Sequence, residues 1–156
     1  MKLLMVCIGN ICRSPLAEGI MKEKLKNAGL DFFVDSAGMI SYHTGEPPDS
    51  RSIEIAKQNG IDISNQLARQ ITKNDFEKFD LIFAMESSVY DELIFLAPSA
   101  KQKIKVHLFL DFAEWKFFSD VPDPYYGTKK DFEEVFQLIN DVSEKIITKF
   151  LSSKKN

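Results

Sequence analysis

Apolar positions in this chain fall into short runs, separated by longer segments in which they recur at helical spacing. A short run dominated by apolar residues predicts a buried strand. Four strands are predicted in this way, at 3–6, 32–34, 80–85 and 104–108. Apolar residues three or four positions apart predict amphipathic helices. Four helices are expected, at about 15–28, 51–58, 87–97 and 132–150.

The order of these elements indicates a fold class. Strands that alternate with helices are typical of a parallel, doubly wound α/β sheet. Ligands bind to such sheets beyond the carboxyl ends of the strands. A length of 156 residues suits one domain with one core, and no repeat, linker or low-complexity segment divides the chain. We therefore expect a single domain over 1–156, with its site at that edge of the sheet.

Capping residues refine the limits of the first helix. Ser14 precedes Pro15, and serine commonly caps a helix whose first turn tolerates proline. Ser14 is therefore predicted to be the N-cap, and Gly29 predicts the end of the helix. The aromatic segment 109–127 is predicted to be a loop.

Composition limits which binding partners and which cellular compartment are expected. The net charge is −3, whereas a protein that binds nucleic acid or a membrane surface is usually basic, so neither partner is expected. Cys7 and Cys12 are the only cysteines and lie too close together to form a disulfide framework, which favours reduced thiols and a cytoplasmic location. The apolar start is too short for a secretion signal, since Asn10 and Arg13 follow it at once.

The string "VCIGNICRSPLAE", residues 6–18, joins the first predicted strand to the first predicted helix. A turn in this position directs backbone N–H groups inward, and together with the helix dipole they form a nest that binds phosphate. Gly9 allows a backbone geometry that other residues resist. Asn10 tolerates the left-handed region, and its amide can brace the turn. The turn is therefore predicted to bind a phosphate group.

Two side chains of this turn suit chemistry on a bound phosphate. The positive field of the nest favours the thiolate form of a cysteine, so Cys7 is predicted to be a nucleophile. Arg13 has a planar fork that can bind two phosphate oxygens at once. Ser14 is expected to donate a hydrogen bond to the sulfur. Taken alone, Cys7 would be a small buried residue and Arg13 a surface charge, but the complete string favours the chemical roles.

A second motif, "VPDPYYG" at 121–127, supplies a candidate acid. A thiolate that attacks phosphorus needs a group to protonate the leaving oxygen and later to activate a water, and one carboxyl group can do both in turn. Asp123 stands between two prolines, which stiffen its backbone. An aspartate in this context is most often a turn residue. Its pairing with the cysteine turn favours the catalytic interpretation.

The two motifs together resemble the low-molecular-weight protein tyrosine phosphatase family. The resemblance extends over essentially the whole chain, through "DSAG" at 35–38, "ARQIT" at 68–72 and "DPYYG" at 123–127. It implies a flavodoxin-like three-layer sandwich with a central four-stranded parallel sheet flanked by helices. It also implies that Cys7 becomes a phosphocysteine, that Arg13 clamps the phosphate, and that Asp123 is the general acid and then the base.

The resemblance implies further site residues. The residues that surround the phosphate would be Ile8, Gly9, Asn10, Ile11, Cys12 and Ser14. Asn10 and Ser36 look like partners that brace the loop, and Tyr42, Tyr125 and Tyr126 look like walls of the substrate pocket. Ordinary loop packing remains the alternative for the tyrosines. Cys12 is implied to form a reversible disulfide with Cys7 that protects the nucleophile, or to pack as a small residue behind the loop.

The same resemblance implies the partners. The substrate would be a phosphotyrosine protein or a small aryl phosphate, the product inorganic phosphate, and the assembly a monomer or a weak homodimer. No cofactor and no metal are expected, and His43 and His107 match no catalytic position. The chain departs from the family at Gln66, where many members carry histidine, and at Glu86, where aspartate is common.

Four other functions are considered for this sequence. Arsenate reductases on this scaffold need further cysteines, which counts against them here. Protein-arginine phosphatases of the family typically have threonine at the position of Ile11, so Ile11 favours phosphotyrosine. A non-catalytic flavodoxin-like module that holds a phosphate would need neither the thiolate nor the opposed carboxyl group. A nucleotide-hydrolysing P-loop is excluded, because no Gly-Lys-Ser/Thr follows the turn.

Overall fold

A four-stranded parallel sheet forms the centre of the molecule in a computed structural model, which describes residues 1–155. Its strands are β1 Lys2–Cys7, β2 Phe33–Gly38, β3 Leu81–Ala84 and β4 Val106–Leu108. Their spatial order is β2-β1-β3-β4, so the strand that ends in Cys7 is central. Cys7 lies opposite Gly38 of the neighbouring strand. The predicted parallel α/β sheet is confirmed.

Helices cover both faces of this sheet. They are α1 Arg13–Asn27, α2 Ser50–Gln58, α3 Lys73–Lys78, α4 Ser87–Leu96, α5 Ala100–Lys103, α6 Phe109–Phe112 and α7 Lys129–Lys154. One core cluster joins the sheet to α1, α2 and α7, and the other joins it to α3 and α4. The molecule therefore has the three layers that were predicted. Within residues 1–155, no helix is long and apolar enough to cross a membrane.

The central strand shows why its sequence is a continuous apolar run. Leu3 and Met5 belong to the core cluster that contains α1 and α7, and Leu4 and Val6 to the cluster on the opposite face. All four side chains are fully buried. A parallel strand covered on both faces has no polar side, so the run carries no alternation.

Helix α7 matches the longest apolar stripe of the sequence. Its buried positions recur at helical spacing along one face. A capping box begins the helix, since the Thr128 N–H donates to Asp131 Oδ2 at 2.6 Å. That box fixes the start of α7 directly after the segment that carries Asp123.

Several predicted limits were wrong. Ser14 is not the N-cap: the helix begins at Arg13, Cys12 stands at the cap position, and the Ser14 hydroxyl pairs with Cys7 instead. The loop predicted from residue 109 begins with the short helix α6. Strand β2 continues four residues past Val34, because it pairs with β1 along its whole length.

Candidate active site

The loop between β1 and α1 lies at the carboxyl end of the central strand, where doubly wound sheets bind ligands. We call residues 7–14 the cysteine loop. Asn10 takes the left-handed region, with φ 58°. Gly9, in contrast, has no positive φ, so the expected reason for this glycine was wrong. A Cβ at Gly9 would lie 3.2 Å from the His43 ring, which shows that space, and not conformation, favours glycine there.

The thiol of Cys7 is buried and points at hydrogen-bond donors. Its Sγ lies 3.0 Å from the Ser14 hydroxyl oxygen and accepts from the Asn10 backbone N–H at 3.3 Å. Only 3% of Cys7 is exposed. The sulfur therefore has two hydrogen-bond partners within the cysteine loop.

Asn10 is the centre of the network that fixes the loop. Its Nδ2 donates to the Ser14 Oγ at 2.8 Å and to the Ser36 Oγ at 3.0 Å. Its Oδ1 accepts from the Arg69 backbone N–H at 3.0 Å. Ser36 in turn donates to Glu18 Oε2 at 2.6 Å. Both polar atoms of the Asn10 side-chain amide are therefore used, and Ser36 contacts the loop through Asn10.

Arg13 is almost completely buried, at 1% exposed, and three groups hold its guanidinium. Nη1 donates to Glu86 Oε2 at 2.7 Å and to the Val121 carbonyl at 3.0 Å, and Nη2 lies 3.4 Å from Asp123 Oδ2. Burial by itself opposes the charge, but the attraction of Cys7, Glu86 and Asp123 outweighs it and raises the pKa of Arg13. The residue therefore carries a permanent positive charge inside the site.

Asp123 meets the cysteine loop although 110 positions separate it from Arg13. We call residues 121–127 the Asp123 loop. The Asp123 Oδ1 accepts from the Tyr125 backbone N–H at 3.1 Å, which leaves Oδ2 toward Arg13. Its side chain is 42% exposed, so water and a substrate can reach the carboxyl group.

The two loops enclose one pocket. Its lining residues are Cys7, Ile8, Gly9, Ile11, Cys12, Arg13, Ile40, His43, Asp123, Tyr125 and Tyr126. The structure thus brings together the predicted nucleophile, arginine and acid with both tyrosines of the Asp123 loop. The rings of Tyr125 and Tyr126 stand perpendicular, 4.9 Å apart, and Tyr126 is 95% exposed.

One predicted wall residue lies elsewhere. Tyr42 does not line the pocket and is 82% exposed, with its ring edge-on against His43 at 4.7 Å. His43 and Ile40 line the pocket instead. The His43 Nδ1 lies 2.7 Å from Glu46 Oε2. The sequence did not predict that His43 lines the pocket. A local signal was Gly9, because the His43 ring packs close to the position that a larger side chain there would occupy.

Cys12 and Cys7 are both buried free thiols. Burial, together with the negative charges of Asp49, Cys7 and Asp123, raises the pKa of the Cys12 thiol to about 12. The two cysteines therefore differ in environment, since Cys12 is kept protonated near neutral pH.

The two departures from the family pattern have different consequences. Gln66 donates to the Pro15 carbonyl at 3.2 Å and makes no hydrogen bond to Asn10 or Ser36. Glu86, in contrast, accepts the shortest hydrogen bond that the Arg13 side chain donates. Among residues 1–155, no cluster of three or more His, Cys, Asp or Glu could hold a metal ion.

Comparisons with known proteins identify the relatives of this chain. The model of the low molecular weight phosphotyrosine protein phosphatase family matches residues 2–156. A Synechocystis protein named as a low molecular weight protein-tyrosine-phosphatase is 43% identical over 150 residues, which are 95% of each chain.

Solved structures show the same fold. A protein tyrosine phosphatase from Entamoeba histolytica is 41% identical, with a TM-score of 0.92 over 99% of both chains. A Drosophila arginine phosphatase is 35% identical, with a TM-score of 0.90 over 96% of this chain and 98% of that one. With its family match, its fold and its pocket in agreement, this chain belongs to the low molecular weight phosphotyrosine protein phosphatase family and is a phosphatase enzyme.

Proposed function

We propose that this phosphatase hydrolyses phosphotyrosine in proteins through a phosphocysteine on Cys7. The observation that carries the proposal is the single pocket that holds the Cys7 sulfur, the Arg13 guanidinium and the Asp123 carboxyl group.

In the first step the Cys7 sulfur attacks the phosphorus of the bound ester. The S–P bond forms as the P–O bond to the tyrosine breaks, and the Asp123 carboxyl group gives its proton to the departing oxygen. The Asn10 N–H and the Ser14 hydroxyl, which contact the sulfur at 3.3 and 3.0 Å, stabilise the thiolate before attack. Tyrosine leaves as a neutral phenol.

In the second step water releases the phosphate. The Asp123 carboxylate takes a proton from a water molecule, and the water oxygen attacks phosphorus as the S–P bond breaks. Ser14 is placed to donate to the sulfur as it becomes a leaving group. Inorganic phosphate departs, and Cys7 returns to the thiolate with Asp123 again protonated.

Arg13 stabilises charge in both steps. Phosphoryl transfer is catalysed mainly by positioning and by positive groups around the transferred oxygens. Glu86 and the Val121 carbonyl hold Nη1, which leaves Nε for the phosphate. Nη2 can join it by exchanging its long 3.4 Å contact with Asp123 Oδ2 for a phosphate oxygen. An arginine held before substrate arrives needs little reorganisation during the reaction.

The pocket walls support an aromatic substrate. Tyr125, Ile11 and Ile40 line it and give apolar contact for a phenyl ring. A second candidate substrate is phosphoarginine, because the chain shares its fold with a Drosophila arginine phosphatase. Ile11 supports phosphotyrosine over phosphoarginine, since its branched apolar side chain suits a ring better than a guanidinium.

The experiment that tests the proposal compares phosphotyrosine and phosphoarginine peptides under reducing conditions. We expect the purified protein to hydrolyse the phosphotyrosine peptide with the higher kcat/KM, and Ile11→Thr to shift the ratio toward phosphoarginine. Cys7→Ser is the negative control. A wild-type preference for phosphoarginine would replace the first candidate with the second.

Three further properties are proposed with this function. The enzyme acts in the cytoplasm, where its two free thiols stay reduced, and it works as a monomer or a weak homodimer. A peroxide would oxidise the Cys7 thiolate to a sulfenic acid, and the Cys12 sulfur would then displace water to form a disulfide. Because Cys12 is mostly protonated, we expect that second step to be slow at neutral pH.

A further inference from the structure

Arg51, in the first turn of α2, contacts both sides of the active site. Its Nε and Nη2 donate to the two carboxylate oxygens of Asp49, each at 3.0 Å. Nη2 also donates to the Tyr125 carbonyl at 2.9 Å, and Nη1 to the Gly127 carbonyl at 3.3 Å. One guanidinium therefore joins a carboxylate to two carbonyl groups of the Asp123 loop.

The carboxylate end of this connection is anchored to the cysteine loop. The Asp49 backbone N–H donates to the Ile11 carbonyl at 2.8 Å. The Asp49 side chain is only 12% exposed and also accepts from the Arg51 backbone N–H at 2.9 Å, which caps α2. A continuous set of contacts thus runs from the cysteine loop through Asp49 and Arg51 to the Asp123 loop.

Aromatic rings hold the guanidinium in place. Its Cζ lies 4.3 Å from the centre of the Phe132 ring and 5.9 Å from that of Tyr125, both within the range of cation–π attraction. Phe132 is fully buried and packs with Ile11 and Cys12. The fork of Arg51 is therefore fixed in orientation as well as in position.

The Asp123 loop has few other restraints. In the part of the chain that the structure describes, hydrogen bonds between residues 123–127 and other segments all come from Arg13 or Arg51. The contact of Arg13 is to the Asp123 side chain, at 3.4 Å. At the start of the loop, the Val121 N–H donates to the Met85 carbonyl at 2.8 Å and the Val121 carbonyl accepts from Arg13. From residue 123 to residue 127, the hydrogen bonds that other segments make to the backbone come from Arg51.

We propose that Arg51 is a positioning residue, which fixes the Asp123 loop against the cysteine loop so that the Asp123 carboxyl group reaches the leaving oxygen. This inference rests on the proposed function of Asp123. Arg51 is not among the residues that line the pocket. Its loss would leave the cysteine loop intact and displace the acid, and a displacement of about 1 Å can cost about 10²-fold in rate.

The test compares two substrates that differ in their need for an acid. Phenyl phosphate has a poor leaving group that must be protonated, whereas the nitrophenolate of p-nitrophenyl phosphate leaves readily without a proton. For Arg51→Met we expect kcat/KM to fall about 10- to 100-fold on phenyl phosphate. On p-nitrophenyl phosphate the fall should be less than about threefold, since acid catalysis contributes little there.

Two further variants keep the test decisive. Arg51→Lys retains the charge and the aliphatic stem but has no fork, so it should show the same substrate split to a smaller extent. In an Asp123→Asn background, Arg51→Met should cause no further loss, because the acid is already absent. Circular dichroism confirms that each variant is folded.

Lys129→Met is the matched control. Lys129 Nζ pairs with Glu54 Oε1 at 2.7 Å and joins α7 to α2 without a hydrogen bond to residues 123–127. Its loss should produce no substrate split. The positioning role would be overturned if kcat/KM of Arg51→Met fell equally on both substrates or did not fall at all. It would also be overturned if the loss in Arg51→Met added to the loss in Asp123→Asn. If Asp123→Asn itself shows no split, the proposed function of Asp123 fails, and the role of Arg51 fails with it.

Discussion

The cysteine loop and the Asp123 loop contribute to one pocket but are built differently. Cys7, Asn10, Arg13 and Ser14 are each at most 3% exposed. Hydrogen bonds within the loop join Cys7, Asn10 and Ser14. In the Asp123 loop, by contrast, the Asp123 side chain is 42% exposed. Residues 123–127 of this loop receive their hydrogen bonds from other segments through two arginines far away in sequence, Arg13 and Arg51.

This difference indicates that the two loops have different roles, one in binding the phosphate and the other in proton transfer. A buried, fully hydrogen-bonded loop can bind a charged group in a fixed geometry with little reorganisation. An exposed carboxyl group stays within reach of water, which the second chemical step requires. We therefore expect substitutions in the cysteine loop to affect both folding and chemistry, and those in the Asp123 loop to affect chemistry alone.

The largest effect is expected from Cys7→Ser. It removes the nucleophile but keeps a group of similar size, so hydrolysis of an aryl phosphate should fall by at least about 10⁴-fold. Binding of inorganic phosphate, measured by calorimetry, should persist because the nest and Arg13 remain. A variant with full turnover would refute a role for the sulfur.

Asp123→Ala tests the other loop. Turnover of phenyl phosphate should fall by about 10²–10⁴-fold, because the leaving oxygen is no longer protonated. The free energy of unfolding should stay within about 1 kcal/mol of wild type, since the side chain is partly exposed.

Asp120→Ala provides the matched control for that variant. Asp120 lies three residues before Asp123. Its Oδ1 accepts hydrogen bonds from the Ser87 hydroxyl at 2.6 Å and from the Ser87 backbone N–H at 2.8 Å, at the start of α4. It should lose some stability but keep its turnover. If Asp123→Ala proves strongly destabilised instead, the proposed contrast between the two loops is wrong.

Asn10→Ala should destabilise the fold more than Asp123→Ala does. It leaves the Arg69 N–H without its partner and forces alanine to φ 58°. We expect a loss of about 2–3 kcal/mol in urea unfolding. Asn10→Gly removes the same hydrogen bonds without the conformational strain, so the difference between the two variants measures that strain. Wild-type stability in both would contradict the bracing role of Asn10.

The smallest effect concerns the pH dependence of stability. The pKa of the Cys12 thiol is raised from 9.0 to about 12 by burial and by nearby negative charges. Between these values the folded state keeps a proton that the unfolded state loses, so the free energy of unfolding falls as pH rises.

Cys12→Ala should therefore lose less stability than wild type as pH increases above 9, because it lacks this group. Urea unfolding of both proteins across that range measures the difference. If the free energy of unfolding changed with pH in the same way in both proteins, folding would not raise the pKa of the Cys12 thiol.

Much of the fold follows from local sequence patterns. The strand from Lys2 to Cys7 and the helix α7 were predictable because burial selects an uninterrupted apolar run in one and a stripe in the other. Helix α3 has only six residues and was missed, although Thr72 and Asp75 form a capping box there. The end of β2 was missed because its residues Asp35 to Gly38 become a strand by pairing with β1.

The site divides in the same way. The residues of the cysteine loop were predictable, since they lie within one short string and contact one another. Glu86, His43 and Arg51 were not assigned roles, because their partners are brought to them only by the fold. The sequence also could not predict that the Tyr42 side chain is exposed, because a loop sequence does not show which of two adjacent side chains, Tyr42 or His43, turns into the pocket.

The central claim is that Cys7 carries the phosphoryl group, and acid quenching of the reaction in its first milliseconds tests it most directly. Wild type and Asp123→Ala are mixed with a phosphotyrosine peptide, quenched and digested, and the fragments are analysed by mass spectrometry. The proposed role of Cys7 predicts a phosphorylated fragment that contains Cys7, absent in Cys7→Ser and longer-lived in Asp123→Ala. Turnover of the peptide without any phosphorylated Cys7, or with phosphate on another residue, would contradict it.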